Sequence, residues 1–197
     1  MRIRLLLGIV LTTTAVSSAS HADEPHRLAI GANFGYGANF ADVDGHWSDG
    51  KNNVGGRLGY EYAVTRWFSV GATAAYLFNT TAKAAHAMSA RAHLRLHFPL
   101  TTNLDLGLTL EGGGLGVVAR DVRTADGRSS DTRLFRGYVV GGGPDLRIAL
   151  GKGLSMDVAP EIFVGEANDP GPSNLSYFRQ DCSVLGLGLW LGVGQSF

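Results

Sequence analysis

Apolar and polar residues alternate with a period of two along eight separate segments of the chain. The clearest segment runs from Met88 to Phe98, where apolar residues at even positions alternate with serine, arginine and histidine at odd positions. Successive side chains of a β-strand point to opposite faces, so this pattern predicts strands with one apolar and one polar face. The predicted strands cover residues 28–40, 54–64, 68–78, 88–98, 104–111, 138–148, 154–164 and 185–197.

The connections between these strands alternate between short and long. The short ones lie at 65–66, 99–103 and 151–153, and the long polar ones at 42–52, 79–85, 120–133 and 167–182. Tilted strands of about 11 residues can cross a bilayer, and short turns alternating with long loops are typical of barrels that do so. The pattern predicts an all-β, eight-stranded antiparallel up-and-down transmembrane β-barrel with both termini in the periplasm.

The first 22 residues have the three parts of an export signal. Arg2 and Arg4 precede an apolar run from Leu5 to Leu11, and the segment ends in the small-x-small sequence at residues 20–22. A membrane-spanning helix needs about 20 apolar residues, far more than this run has. We therefore expect residues 1–22 to be a signal peptide and residues 23–197 to form one barrel domain.

The composition argues against several other classes of protein. Charged residues make up 17% of the chain, and 17 basic residues are balanced by 17 acidic ones. A nucleic-acid-binding domain would normally be basic, so we expect no nucleic-acid partner. A soluble barrel would expose many Lys and Glu on its polar face, whereas this polar face consists mostly of Gly, Ala, Ser and Thr. The composition therefore favours lipid around the apolar face.

The C-terminal segment resembles the assembly signal of bacterial outer-membrane proteins. Apolar residues alternate up to a terminal phenylalanine, at Leu189, Leu191, Val193 and Phe197, with Gln195 departing from the pattern. Together with the eight strands, this makes the chain similar to the small barrels of the OmpA-transmembrane-domain and OmpX kind. The resemblance implies a monomer in the outer membrane of a Gram-negative bacterium. It also implies contact with outer-membrane lipids and lipopolysaccharide, and recognition by the assembly machinery.

The polar face of the predicted barrel carries twelve ionisable residues. Side chains just fill the bore of an eight-stranded barrel, and unpaired buried charge is costly, so we expect these residues to form an interior network. They are Arg57, Glu61, Arg91, His93, Arg95, His97, Asp105, Glu111, Asp145, Arg147, Asp157 and Glu161. Because the two histidines are flanked by arginines, we expect no metal there.

The predicted hairpin between the fourth and fifth strands pairs opposite charges. With its turn centred on residues 100–101, Arg91 faces Glu111. The same register places His97 opposite Asp105. Opposite charges on facing residues are the favourable arrangement, so we predict an Arg91–Glu111 contact inside the barrel.

The hairpin between the sixth and seventh strands leads to a similar prediction. With its turn centred on Lys152, Arg147 lies opposite Asp157, and we predict a contact between them. We expect the whole network to have a structural role that fills the bore; a gated conduit or proton path is the alternative.

The one His-x-Ser sequence of the chain lies in a loop rather than on a strand. It is formed by His46 and Ser48, with Asp49 next to them, and some outer-membrane barrels use such residues to modify lipids. Loops rich in Asp, Gly and Ser are usually solvated turns. We therefore expect no enzymatic activity and no cofactor. A lipid A-modifying enzyme of the deacylase or acyltransferase type, or a narrow channel, is the alternative.

Five arginines cluster around the third long connection: Arg120, Arg123, Arg128, Arg133 and Arg136. At an outer rim they could pair with lipopolysaccharide phosphates, for which the planar guanidinium is well suited. The sequence thus predicts a non-enzymatic integral outer-membrane β-barrel protein with an envelope-structural or surface-interaction role through its extracellular loops.

Overall fold

A computed structural model describes residues 24–36, 52–79, 86–123, 129–168 and 181–197. The predicted signal peptide lies outside these residues, as do positions 37–40 of the first predicted strand.

The described residues form a closed barrel of eight antiparallel strands in sequence order. Each strand pairs with the next, and β1 pairs with β8. The strands are β1 (His26–Tyr36), β2 (Asn52–Thr65), β3 (Phe68–Asn79), β4 (His86–Thr101), β5 (Leu104–Arg123), β6 (Ser129–Gly151), β7 (Leu154–Asn168) and β8 (Asp181–Ser196). Within the described ranges, no helix is long and apolar enough to cross a membrane. The predicted eight-stranded up-and-down barrel is confirmed.

The apolar face of the sheet points outward. Leu94, Leu106 and Leu187 are 48%, 38% and 57% exposed, whereas Arg95, next to Leu94 on β4, is only 2% exposed. Water inside a bilayer is too scarce to hydrogen-bond the backbone, and a closed barrel pairs its backbone groups without leaving an edge. The outward apolar face and the closed ladder therefore satisfy the two requirements of a membrane-spanning sheet.

Strands β5 and β6 are much longer than predicted. The predicted long connection at 120–133 is wrong, since Arg120 pairs with Thr132 and Arg123 with Ser129, and only residues 124–128 lie outside the described part. Alternation is uninformative here because residues 112–114 are glycines, and because residues 119–133 are mostly polar at both even and odd positions. The backbone ladder needs neither apolar residues nor alternation to continue.

The far end of the β5–β6 hairpin extends past the described ends of the two neighbouring strands. The last residue of β5 that pairs with β4 is Val118, opposite His86, and β7 pairs with β6 only as far as Arg136. In the described part of the chain, residues 119–123 and 129–133 therefore pair only with each other. We call these two segments the ribbon. At about 3.3 Å per residue, the five residues of β5 beyond Val118 add about 16 Å to the hairpin.

The predicted register of the β4–β5 hairpin is wrong by two residues. The turn is formed by Thr102 and Asn103 rather than residues 100–101, and Arg91 lies opposite Gly113. Threonine and asparagine are better turn formers than leucine, and the amide of Asn103 donates to Oγ1 of Thr101 at 3.3 Å. A register irregularity between Pro99 and Thr101 leaves Leu100 out of the pairing.

The predicted register of the β6–β7 hairpin is confirmed. Arg147 lies opposite Asp157, and the turn between the strands contains Lys152 in the left-handed region, with φ 53°. Glycines with positive φ flank this lysine on both sides, which explains why the chain reverses at this position.

An arginine on the outward face should destabilise the protein in lipid. Leu187 lies midway along the outward face of β8, and an arginine near the bilayer midplane costs about 2 to 4 kcal/mol. We expect Leu187→Arg to lower the free energy of unfolding by about 2 kcal/mol or more, measured by urea denaturation in phospholipid vesicles.

Gln195→Arg is the matched control. Gln195 is an exposed residue on the same face of β8, at the end of the barrel that carries the short turns. Near the interface the cost falls to about 0 to 1 kcal/mol. Equal losses in the two variants would contradict the orientation of this face toward lipid.

Candidate functional site

All twelve ionisable residues selected from the sequence are buried, and none is more than 9% exposed. Each lies on the strand face opposite to the outward leucines, and several of their contacts join strands that are not neighbours in the sheet. These contacts therefore cross the bore, and they form three clusters along it.

The first cluster lies near the short turns and is centred on Arg147. Its Nη1 and Nη2 donate to the two carboxylate oxygens of Glu61 at 3.1 and 2.8 Å. Its Nε donates to Oδ1 of Asp157 at 3.1 Å. Because Glu61 is on β2 and Arg147 on β6, this bidentate ion pair spans the barrel, and the predicted Arg147–Asp157 contact is present.

Arg27 completes this cluster and was not among the predicted interior residues. It forms an ion pair with Asp157, and its Nη2 donates to the hydroxyl of Ser155 at 2.8 Å. The sequence could have placed Arg27 in the bore, since it is an odd-numbered residue of β1 like Asn33, which lies on the inward face. Its position at the start of the strand, before the apolar alternation begins, concealed it.

The second cluster is centred on Arg95. Its Nε donates to Oδ1 of Asp145 at 2.8 Å, and its Nη1 donates to Oδ2 of Asp105 at 2.8 Å. His97 lies opposite Gly107 and not opposite Asp105 as the predicted register had it. Its Nδ1 nevertheless lies 2.9 Å from Oδ2 of Asp105. The hydroxyl of Thr109 donates to Asp145 at 2.8 Å.

The third cluster contains two arginines and two glutamates. Arg57 donates to Oε2 of Glu161 at 2.9 Å and to Oε2 of Glu111 at 2.8 Å, and lies over the ring of Trp190. Arg91 forms the predicted ion pair with Glu111. The contact forms although the predicted register was wrong, because the long arginine side chain reaches a residue two positions away along β5.

His93 is the twelfth predicted residue and belongs to none of these clusters as a hydrogen-bonding member. Its Nε2 lies 4.0 Å from Oε2 of Glu61. Over the described residues, no group of three or more His, Cys, Asp and Glu side chains is arranged to hold a metal ion.

Inward glycines make room for these long side chains. A Cβ atom at Gly71 would lie 2.6 Å from Nε2 of His93, and one at Gly188 would lie 2.7 Å from Cγ of Glu161. A Cβ at Gly107 would collide with the paired Arg95 and Asp145 in the same way. These glycines thus leave the space into which the ionic side chains pack.

A fourth layer of the bore, near the long connections, is apolar. It consists of the buried side chains of Leu115, Val117, Phe135, Val139, Phe163 and Ala167. We call this the apolar layer. Sequence reasoning missed it, although these residues have the same parity as the charged residues on their strands. Leu115, Val117 and Phe135 lie outside the predicted strands, and only ionisable residues were assigned to the bore.

Other predicted site residues lie at the ends of the molecule or outside the described part. The residues of the C-terminal signal are all on the outward face, between 38% and 55% exposed. Arg136 is exposed next to the ribbon, which contains the backbones of Arg120, Arg123 and Arg133. Arg128 and the loop residues His46, Ser48 and Asp49 lie outside the described residues.

The closed sheet, its outward apolar face and its ion-paired bore define the class of protein as an integral membrane β-barrel of the smallest size. Residues 8–165 match the model of the family described as "Outer membrane protein beta-barrel domain". The chain belongs to this family, and the protein is located in the outer membrane of a Gram-negative bacterium, among lipids and lipopolysaccharide.

Solved structures with the same fold are distant in sequence. Neisserial surface protein A shares 14% identity, with a TM-score of 0.55 over 86% of this chain and 97% of that one. Ail of Yersinia pestis shares 18%, with a TM-score of 0.53 over 87% and 97%. OprG of Pseudomonas aeruginosa shares 14%, with a TM-score of 0.54 over 88% and 97%. A search of curated protein sequences finds no significant match.

Removal of Arg147 should strongly destabilise the barrel. Arg147→Met leaves the carboxylate of Glu61 buried without its bidentate partner, and breaking a buried pair in this way costs about 3 to 5 kcal/mol. We expect a loss of this size in the free energy of unfolding, measured by urea denaturation in phospholipid vesicles. Adding Glu61→Gln should restore part of it, because Asp157 retains its ion pair with Arg27.

Arg66→Met is the control for this experiment. Arg66 is exposed in the β2–β3 turn, where its guanidinium lies 4.8 Å from the ring centre of Trp67. Exposed cation–π contacts contribute about 0.5 to 1 kcal/mol. If Arg147→Met costs no more than Arg66→Met, the cluster does not stabilise the barrel.

Proposed function

We propose that the protein is a non-enzymatic surface-interaction protein of the outer membrane. In this proposal the barrel is a rigid anchor, and the ribbon is the element that contacts partners outside the cell. The observation that carries the proposal is that the β5–β6 hairpin continues beyond the described ends of the strands on both of its sides, above a bore crossed by ion pairs.

The contents of the bore support an anchor rather than a conduit. Among the described residues, five arginines and six carboxylates are buried in it, and contacts such as Arg147–Glu61 join opposite walls. A permeating ion would have to separate these pairs, and separating buried pairs is costly. An eight-stranded barrel leaves little space beyond that filled by side chains.

The charge of the ribbon and of the residues that join and follow its two segments supports an anionic partner. Together these residues, 119–136, contain five arginines and three aspartates, a net charge of 5 − 3 = +2. In family members the short turns face the periplasm and the longer connections face outward, which would place the ribbon outside the cell. Arginine forms paired hydrogen bonds with phosphate groups, so we propose that the phosphates of lipopolysaccharide are the first partner.

One structural neighbour offers a parallel for this proposal. Ail, the attachment invasion locus protein of Yersinia pestis, has been solved in complex with the heparin analogue sucrose octasulfate. That ligand is a compact polyanion, and the proposal assigns a partner of the same charge to the ribbon of this chain.

A closed bore predicts that the protein does not conduct ions. We expect purified protein in planar lipid bilayers to produce no sustained current steps, because each permeating ion would meet the ion-paired clusters. A porin inserted into the same bilayers serves as the positive control. Sustained unitary currents from the folded protein would contradict the anchor role and favour a narrow channel.

Removing the ribbon arginines should weaken binding to phosphorylated glycans. We expect Arg120→Gln/Arg123→Gln/Arg133→Gln to bind water-soluble phosphorylated lipopolysaccharide core oligosaccharide at least tenfold more weakly than the unmodified protein. Surface plasmon resonance on protein in phosphatidylcholine nanodiscs measures this, and added salt should weaken the unmodified protein's binding by screening.

Two controls distinguish the loss of the ribbon arginines from a general loss of positive charge on the protein. Arg66→Gln/Lys152→Gln removes cations from exposed turns at the opposite rim, and should bind normally. Dephosphorylated oligosaccharide should bind weakly to every variant. An unchanged affinity in the ribbon variant would contradict the proposed partner, and altered acyl chains on lipid A in cells that produce the protein would contradict the non-enzymatic role.

A further inference from the structure

We propose that the ion-paired part of the bore contains a binding site for a small group of water molecules, held by Arg57, His93 and Trp190 beside Gly59. These four residues line one cavity of about 50 Å³. A buried water molecule needs at least about 10 to 15 Å³, so the cavity has room for more than one. This proposal is independent of the ribbon and concerns the inside of the barrel.

The backbone of β2 shows that this part of the bore has free space. Gly59 is a buried residue on the inward face, and a Cβ atom built on it would meet one atom within 4 Å, the Cγ2 of Thr73 at 3.6 Å. A Cβ atom at Gly71 or Gly188 would instead lie less than 3 Å from the side chain of a bore residue. The space beside Gly59 is therefore not occupied by the paired ionic side chains.

Three side chains that line the cavity have a buried nitrogen atom without a hydrogen-bond partner among the described residues. These atoms are Nε of Arg57, Nδ1 of His93 and Nε1 of Trp190, and none of the three residues is more than 8% exposed. Buried polar atoms in proteins are nearly always paired with another group or with ordered water. Because the arginine and tryptophan nitrogens can only donate, the site requires a hydrogen-bond acceptor.

His93 also has a gap on its other side that a water molecule would bridge. Its Nε2 lies 4.0 Å from Oε2 of Glu61, which is beyond hydrogen-bond distance. Polar groups at such a separation are often joined by a bridging water molecule. Bound water would thus give His93 hydrogen-bond partners on both sides of its ring.

The charges around the cavity favour neutral water over a small ion. Four arginines and five carboxylates line it, so an anion would enter a site where acidic groups outnumber the arginines. A cation requires free oxygen ligands, whereas the unpaired atoms of Arg57, His93 and Trp190 are nitrogens. Water is uncharged, accepts hydrogen bonds from the arginine and the tryptophan, and donates its own hydrogens to the carboxylates.

Water in the cavity can be detected through the methyl groups of alanines. Ala29 and Ala159 line the cavity, whereas Ala74 and Ala92 are exposed on the outward face. Deuterated protein with protonated alanine methyl groups is studied in nanodiscs of deuterated lipid by nuclear Overhauser spectroscopy. We expect cross-peaks between water and the methyl groups of Ala29 and Ala159, and none between water and those of Ala74 and Ala92.

Two glycine variants on β2 form a matched pair. Gly59→Val puts methyl groups into the cavity opposite Ala29, and should weaken the cross-peak of Ala29 with water at least threefold. Gly56→Val makes the same change on the outward face, where a Cβ atom would meet only the backbone oxygen of Gly31 at 3.9 Å, and should leave the cross-peak unchanged. Heat-modifiable migration on gels verifies that each variant is folded, and Gly59→Ala replaces Gly59→Val if that variant does not fold.

The polar contacts of the site are tested with His93→Leu. This change removes both ring nitrogens without adding a larger side chain. We expect it to weaken the cross-peak between Ala29 and water at least threefold, because the water group loses a hydrogen-bonding partner.

Three results would overturn the proposal. They are the absence of water cross-peaks at both Ala29 and Ala159, equal effects of the Gly56 and Gly59 variants, and an unchanged cross-peak in His93→Leu. The first result would mean that the cavity is dry, and the third that His93 does not hold the water.

Discussion

The backbone of this protein must pair all of its hydrogen-bonding groups without help from water, and the rest of the structure follows from that requirement. In hydrocarbon only a helix or a closed sheet meets it, and this chain closes its sheet by pairing β1 with β8. Closure with eight strands produces a narrow bore, so every inward side chain faces another across a short distance. The outward side chains meet lipid, which explains why leucine, valine and aromatic residues occupy them.

Because the bore is narrow, its charged side chains lie close enough to form ion pairs that join the strands. Each of the five arginines buried in the bore is paired with a carboxylate, and Arg147 and Arg57 each join strands on opposite walls. Long ionic side chains need space, and glycines such as Gly107 and Gly188 supply it on neighbouring strands. Glycines and ionic side chains therefore occur together on the inward face, since the glycines leave the space that the ionic side chains occupy. Above these clusters the bore is lined by the apolar layer.

The fold and most of the interior cluster could be predicted from the sequence, because alternation with a period of two assigns each residue to one face. Predicting which residues contact each other also required the position of each turn, which alternation does not give. The Arg147–Asp157 pair was predicted correctly because glycines around Lys152 mark the turn. The β4–β5 register was predicted wrongly, because the turn was placed at residues 100–101 and is formed by Thr102 and Asn103.

Features without a two-residue alternation were missed. The ribbon continues the backbone ladder through residues that are mostly polar at both parities, so its sequence resembled a loop. Arg27 precedes the apolar pattern of its strand, and the inward apolar residue Phe163 follows the same parity as Glu161. Parity along each strand, applied to apolar residues as well as to charges, would have identified the last two.

The most direct measurement of the central claim is the accessibility of a spin label at Leu94. In a Cys182→Ser background, a nitroxide at Leu94→Cys is compared with one at Arg66→Cys in the turn, using oxygen and a water-soluble nickel complex as relaxation agents in lipid bilayers. The structure predicts that the Leu94 label is reached by oxygen and not by nickel, and that the Arg66 label shows the opposite preference. Nickel reaching the Leu94 label as readily as the Arg66 label would contradict an apolar face in lipid around an ion-paired bore.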